Sequence, residues 1–259
     1  MNKNLNAKSL PVLTAGLGLL ALLLRLGLYL LGTDEKGLLI PMHPLDLLTW
    51  AVTAVAVLLS LLSVRKLDGS ARYYDNFSAS TPAAIGTFAL AGGIAVSVIS
   101  SWAVWPRLDL IRNLCGLLAV PSIIWVGLCR WQGKRPSFTF HGVTCLYLTL
   151  YAVSHYQTWS SRPQLQDYFF SIAGAVLQTL FAYYQTAFDV GMGKRRMQLV
   201  TGLLAAFFCM AAAAAGEDLL LYAGGAVWTL TNLCSLTPVK RRRPNPITEP
   251  AKEDRHESA

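Results

Sequence analysis

Eight runs of roughly twenty mostly apolar residues, at 10–31, 45–64, 82–105, 108–128, 139–159, 168–188, 197–215 and 219–236, divide this chain. About twenty apolar residues in an α-helix, rising 1.5 Å each, cross the roughly 30 Å hydrocarbon core of a bilayer. Composition agrees, since 54% of the 259 residues are hydrophobic and 14% charged, against about 25% charged in ordinary soluble domains. The expected fold is an all-α integral membrane protein, a bundle of eight transmembrane helices with both termini cytoplasmic. Residues 1–238 form the expected membrane domain. Residues 239–259 form a cytoplasmic tail, basic at first and then of mixed charge, which lacks the apolar residues needed to order itself.

Basic residues orient the spans. With eight crossings, Lys3, Lys8, Arg65, Lys66, Arg72, Arg130, Lys134, Arg135, Lys194, Arg195, Arg196 and the run Lys240 to Arg243 fall on one face, fifteen in all. Lys36, Arg107 and Arg162 fall on the other. An excess of Lys and Arg marks the cytoplasmic side, and a wrong span count would scatter these clusters over both faces. The short loops suit a bacterial plasma membrane. Lys3 and Lys8 ahead of an apolar run resemble a signal peptide. The run is too long for one, however, and Gly32-Thr33-Asp34-Glu35 offers no small-residue cleavage site, so it is expected to remain as the first span. Gly216-Glu217-Asp218 is expected to turn a hairpin rather than continue one long helix.

Helices returning from outside open on acids, namely Asp46, Asp109, Asp167 and the pair Glu217 and Asp218, while glycines flank basic residues in LDGSAR, WQGKRPS and GMGKRRM. The alternation is compatible with four helical-hairpin repeats. Acids at helix N-termini are favoured by the macrodipole, so the acidic half of the pattern has a structural explanation. Small-residue stretches at 89–97, 171–176 and 222–228 let membrane helices approach closely. The same glycine pairs, with Pro121, would alternatively break helices near the midplane, as in transporters.

A charge inside the bilayer costs roughly 2.5 kcal/mol or more at the centre. Arg25, Asp46, Asp109, Arg112 and His155 share one depth near the outer face. They are the candidate outer polar layer, either a pocket for a small ligand or an interfacial belt of ion pairs. Toward the other face, FAYYQTAFD carries an aromatic belt, and Gln178 lies deeper, where an amide seeks an interhelical partner.

Enzymatic motifs find little support. Asp68, Gly69, Ala71 and Arg72 resemble the CDP-alcohol phosphotransferase signature, one residue short. No acid follows between Asn76 and Arg107, although such a site needs several carboxylates on divalent metal. His141 and His155, fourteen residues apart, resemble the haem-ligand spacing of b-type cytochromes, yet His43 outside and His256 in the tail are poorly placed as second ligands. The five cysteines form no CxxC pair. No catalytic residue, metal, cofactor or nucleic-acid partner is expected. The expected partners are the lipid bilayer, anionic lipid at the basic tail, and a small-molecule ligand or a membrane-protein partner. The expected function is a small-solute transporter or the membrane-binding subunit of one; the alternative is a non-transporting accessory, anchor or sensor subunit.

Overall fold

A computed structural model describes residues 9–33, 40, 43–64, 70–102, 107–160 and 168–237. Of these, 85% are helical and none forms a strand. The helices are α1 (Ser9–Leu31), α2 (Pro44–Val64), α3 (Tyr73–Asn76), α4 (Thr81–Ser100), α5 (Arg107–Gln132), α6 (Phe138–Ser160), α7 (Phe169–Asp189), α8 (Arg195–Ala213) and α9 (Leu219–Cys234). Five of them, α1, α2, α4, α5 and α8, have the length and hydropathy of a membrane span. Of the other long helices, α9 has only 16 residues, and α6 and α7 carry polar side chains on their buried faces. Those inward polar groups lower hydropathy without wetting the outside. Leu30, Leu62, Ile99 and Leu118 are exposed over more than three-fifths of their surface, and so large an apolar exterior requires lipid rather than water. This is a helical protein of membrane type.

Local chemistry sets the helix ends. Ser80 caps α4 by accepting the Ala83 amide at 3.3 Å, just ahead of Pro82 in the first turn. Gly133 and Gly191 end α5 and α7 in the left-handed region, at φ +69° and +78°. In each case the following amide reaches back five residues, Lys134 N to Cys129 O and Met192 N to Ala187 O, both at 2.9 Å. This is the Schellman arrangement, so glycines beside basic residues are explained here as helix stops. Gly69, Asp167 and the tail lie outside the described residues.

The glycine pairs and Pro121 do not break helices; α4, α5 and α9 run through them. Their use is close approach instead. A Cβ on Gly93 would lie 2.5 Å from the Leu220 carbonyl oxygen, and one on Gly224 would lie 2.5 Å from that of Ala89. The backbones of α4 and α9 therefore touch at two levels. Helix α8 is the central element, with 72% of its span buried, whereas α1 and α2 are peripheral at 28% and 33%. Helices α8 and α9 are separate and fold back on each other, Gly202 lying against Leu233.

Loops gather at two ends. At one, Ser80 N bonds Arg130 O at 3.1 Å, Gly193 N bonds Ala71 O at 3.3 Å and Thr237 N bonds Asn76 O at 3.0 Å. This is the basic end, with Arg130, Lys134, Lys194 and Arg195. The other is the acidic end, with Asp109, Glu217 and Asp218.

Candidate functional site

The acidic end is organised by Asp218. An aspartate at an N-cap ordinarily accepts an amide of its own helix, but Asp218 caps α9 in the left-handed region, at φ 49°, with no side-chain cap bond. That conformation costs about 1–2 kcal/mol in a non-glycine residue, and it aims the carboxylate at α6. Asp218 Oδ2 accepts the Tyr151 hydroxyl at 2.9 Å and meets His155 Nε2 at 3.0 Å. Tyr222 Oη donates to the Ser171 carbonyl at 3.0 Å and lies 3.4 Å from the Tyr151 hydroxyl. On the same level Arg112 binds Asp109 at 3.0 Å, one turn away on α5, and donates to Ser154 of α6 at 2.9 Å. Trp159 Nε1 donates to Glu217 at 3.1 Å. Asp218, Arg112, Glu217 and Asp109 all act electrostatically on the His155 ring. A cavity of about 260 Å³ opens beside this cluster between α4 and the start of α9, lined by Gly93, Ser97, Ser100, Asp218 and Leu221.

Three of the five expected residues, Asp109, Arg112 and His155, therefore meet. Arg25 is buried and faces inward, its guanidinium 4.3 Å over the Phe170 ring and its Nη2 donating to the Tyr29 hydroxyl at 2.5 Å. Asp46 stays in the first turn of α2 and, among the described residues, forms no ion pair with Arg25 or Arg112. The reason is azimuth: α1 and α2 pack against α8 rather than against α5 and α6. Depth in the bilayer follows from sequence, whereas rotation about the bundle axis follows from packing.

No protein-family model, curated protein or solved structure matches the chain. Function must then be read from the site itself.

From the acidic end a line of buried polar groups continues inward along three helices. On α7, Ser171, Gln178 and Gln185 are buried at seven-residue spacing, about 10 Å apart on one face. On α6, His141, Thr144, Tyr147, Tyr151 and Ser154 are buried, and on α9 Tyr222, Thr229 and Asn232. Gly225 leaves room for the Gln178 carboxamide, where any Cβ would collide with it. Phe181 and Trp228 meet edge to face, with centroids 4.9 Å apart, between the levels of Gln178 and Gln185. The interior is thus polar on either side of this aromatic pair. Gln178 Nε2 and Oε1, Gln185 Nε2, and Gln198 Nε2 and Oε1 are buried without a hydrogen-bond partner among the described residues. Gln178 was expected to hold an interhelical hydrogen bond; none is formed to it there.

At the basic end lies a second buried pair, His141 Nδ1 to Asp189 Oδ2 at 2.5 Å. The histidines that resemble haem ligands thus each face a carboxylate. Segment 70–80, expected as a polar cytoplasmic loop, is buried in part. Tyr73, Asn76 and Phe77 enter the bundle end, where Phe77 lies edge-on to Phe188 at 5.3 Å and under the Arg130 guanidinium at 4.4 Å. Arg195 donates to Asn76 Oδ1 at 3.0 Å and to the Thr237 carbonyl at 2.6 Å. Burial pushes the Tyr73 hydroxyl above its ordinary range, against the pull of Arg130, and keeps it a neutral donor beside the Lys134 carbonyl. The sequence places Asp218 at the outer level and Asp189 in the group at the other face, but their pairing with His155 and His141 and the burial of segment 70–77 are what it does not show. The available signal was the seven-residue rhythm Ser171, Gln178, Gln185, which sets these three on one face of the helix.

Proposed function

We propose that the chain is a small-solute transporter of a bacterial plasma membrane, crossing it eight times with both termini in the cytoplasm. In this reading the acidic end is the outer face, and the hairpins α1–α2, α4–α5, α6–α7 and α8–α9 are the four repeats. Residues 239–259 form a tail attracted to anionic lipid. The single observation that carries the reading is the polar interior, which begins at the cavity beside Asp218 and continues past Gln178 and Gln185 to His141 and Asp189. Polar groups inside a membrane bundle are costly and mark solute or ion paths. A cavity of about 260 Å³ is slightly below the roughly 300–1,000 Å³ of drug-sized sites, which suits a small polar metabolite. Asp218 is the charged residue of its lining, with Ser97 and Ser100 beside it, which suits a solute that presents a cation or hydrogen-bond donors. The unbroken helices depart from the broken-helix transporter design; the solute meets the start of α9 beside the side chains of α4.

The test is a thermal-shift screen of small polar metabolites on the purified full-length protein, followed by uptake into proteoliposomes. At about a hundred times its dissociation constant a ligand adds about 2.7 kcal/mol of stability. The stabilising compound should keep its effect in Arg25→Ala, whose residue lies off the site, and lose it in Asp218→Asn. Equal stabilisation of wild type and Asp218→Asn would remove the acidic end from the site. Absence of any stabilising solute and of any uptake would favour an accessory, anchor or sensor subunit.

A further inference from the structure

We propose that His141 and Asp189 form a proton-binding site through which this protein couples solute movement to proton movement, with segment 70–77 closing that site from the basic end. The inference rests on the transport reading above.

Both side chains are essentially inaccessible, at 3% and 0% of their surface, and they join α6 to α7. A purely structural link would satisfy every buried atom, because a buried polar group without a partner costs roughly 1–3 kcal/mol. Here Asp189 Oδ1 is buried and has no hydrogen-bond partner among the described residues. Buried ion pairs are also poor stabilisers, apolar replacements often matching or exceeding them. A pair so incompletely served is explained better by a change of protonation than by stability.

The surroundings allow that change. Asp189 acts on Tyr73 of α3 and on Cys129 of α5, and these two are acted on in turn by Arg130 of α5 and by Lys134 in the following loop. Arg130 is buried with Nε and Nη1 unpartnered among the described residues, its Nη2 donating to Ser235 at 2.8 Å. The hydrogen bond between His141 and Asp189 holds a proton between Nδ1 and Oδ2. With neutral imidazole and ionised carboxylate the pair carries one negative charge. Adding one proton, to the imidazole as imidazolium or to the carboxylate as carboxyl, brings the pair to zero net charge. Releasing it on the opposite face restores the first state, so one proton crosses per cycle and no other reactant is needed. Arg130 also lies over Phe77, which packs on Phe188, the neighbour of Asp189. Segment 70–77 thus touches the helix end that carries Asp189 through Phe77 and Phe188, and its Tyr73 feels the Asp189 charge, so protonation and closure are linked.

The first measurement is infrared difference spectroscopy between acidic and alkaline buffer on the full-length protein in lipid nanodiscs. A carboxyl C=O band or an imidazolium ring band that grows on acidification in wild type should vanish in Asp189→Asn and persist in Asp75→Asn, whose residue is exposed. If Asp189→Asn does not fold, Asp189→Glu should keep a band at shifted frequency. Identical bands in wild type and the folded Asp189 variant would overturn the proposal. The second uses proteoliposomes with a trapped pH dye and the solute found by thermal shift. Wild type should change the internal pH on solute addition, while Asp189→Asn should still be stabilised by the solute yet move no protons. Solute uptake by wild type without any pH change would overturn the coupling and leave transport standing. No uptake by wild type would overturn the transport reading and the coupling with it.

Discussion

Asp218 stands where an acid normally caps its own helix and gives its carboxylate to Tyr151 and His155 of α6 instead. Gln178 likewise sits wholly inside with its amide atoms unserved among the described residues. Side chains chosen for stability alone would not do this. Replacing Gln178 by the apolar Met should therefore raise unfolding stability by about 1 kcal/mol while lowering solute uptake; a melt in detergent reads the first and proteoliposomes the second. Arg112→Met should act in the opposite direction, leaving Asp109 and Ser154 without their donor. Because Asp109 retains 18% exposure, water screens it, and the loss should be about 2 kcal/mol rather than the 3–5 kcal/mol of a fully buried broken pair. The Asp109 and Arg112 pair was legible in sequence from its i, i+3 spacing. The Asp218 and His155 pair was not, since 63 residues separate them and only the assembled bundle sets the start of α9 within side-chain reach of α6.

Among the elements, α4 and α9 show most directly how composition becomes packing. Gly92 and Gly93 are neighbours with opposite surroundings: nothing lies within 4 Å of a Cβ on Gly92, whereas one on Gly93 would meet the α9 backbone. Gly93→Ala should cost about 1–3 kcal/mol, as overpacking does. Gly92→Ala should be neutral or stabilise by up to about 1 kcal/mol, because glycine is the weaker helix former. Equal effects at the two positions, measured as shifts of the unfolding midpoint, would contradict the close contact. The long helices were legible because apolar runs of that length have few alternatives. Helix α3 was not, since four residues carry no periodicity and their burial comes from Arg130, Phe188 and Thr237, all distant in sequence. Glycine at the ends of α5 and α7 was visible, but its role as a helix stop required the backbone geometry at Gly133 and Gly191.

At the scale of the whole molecule, five helices meet the hydropathy of a span, and the proposed topology adds α6, α7 and α9, whose polar faces turn inward or whose length is short. The two counts differ in an observable way. Eight crossings place both termini on the same face, so epitope tags at residues 2 and 259 should both be protected in intact cells; five would expose one. The interior path itself is tested most directly by cysteine accessibility. With Cys115, Cys129, Cys145, Cys209 and Cys234 replaced, single cysteines would be placed as Ser100→Cys at the mouth of the cavity, where the residue is exposed, and as Gln178→Cys and Gln185→Cys on either side of Phe181 and Trp228. A membrane-impermeant thiol reagent added outside should label Ser100→Cys at rest and reach Gln178→Cys and Gln185→Cys only when the transported solute is present. If both glutamine positions stay unreactive with that solute present, under conditions that label Ser100→Cys, the polar interior is not a solute path.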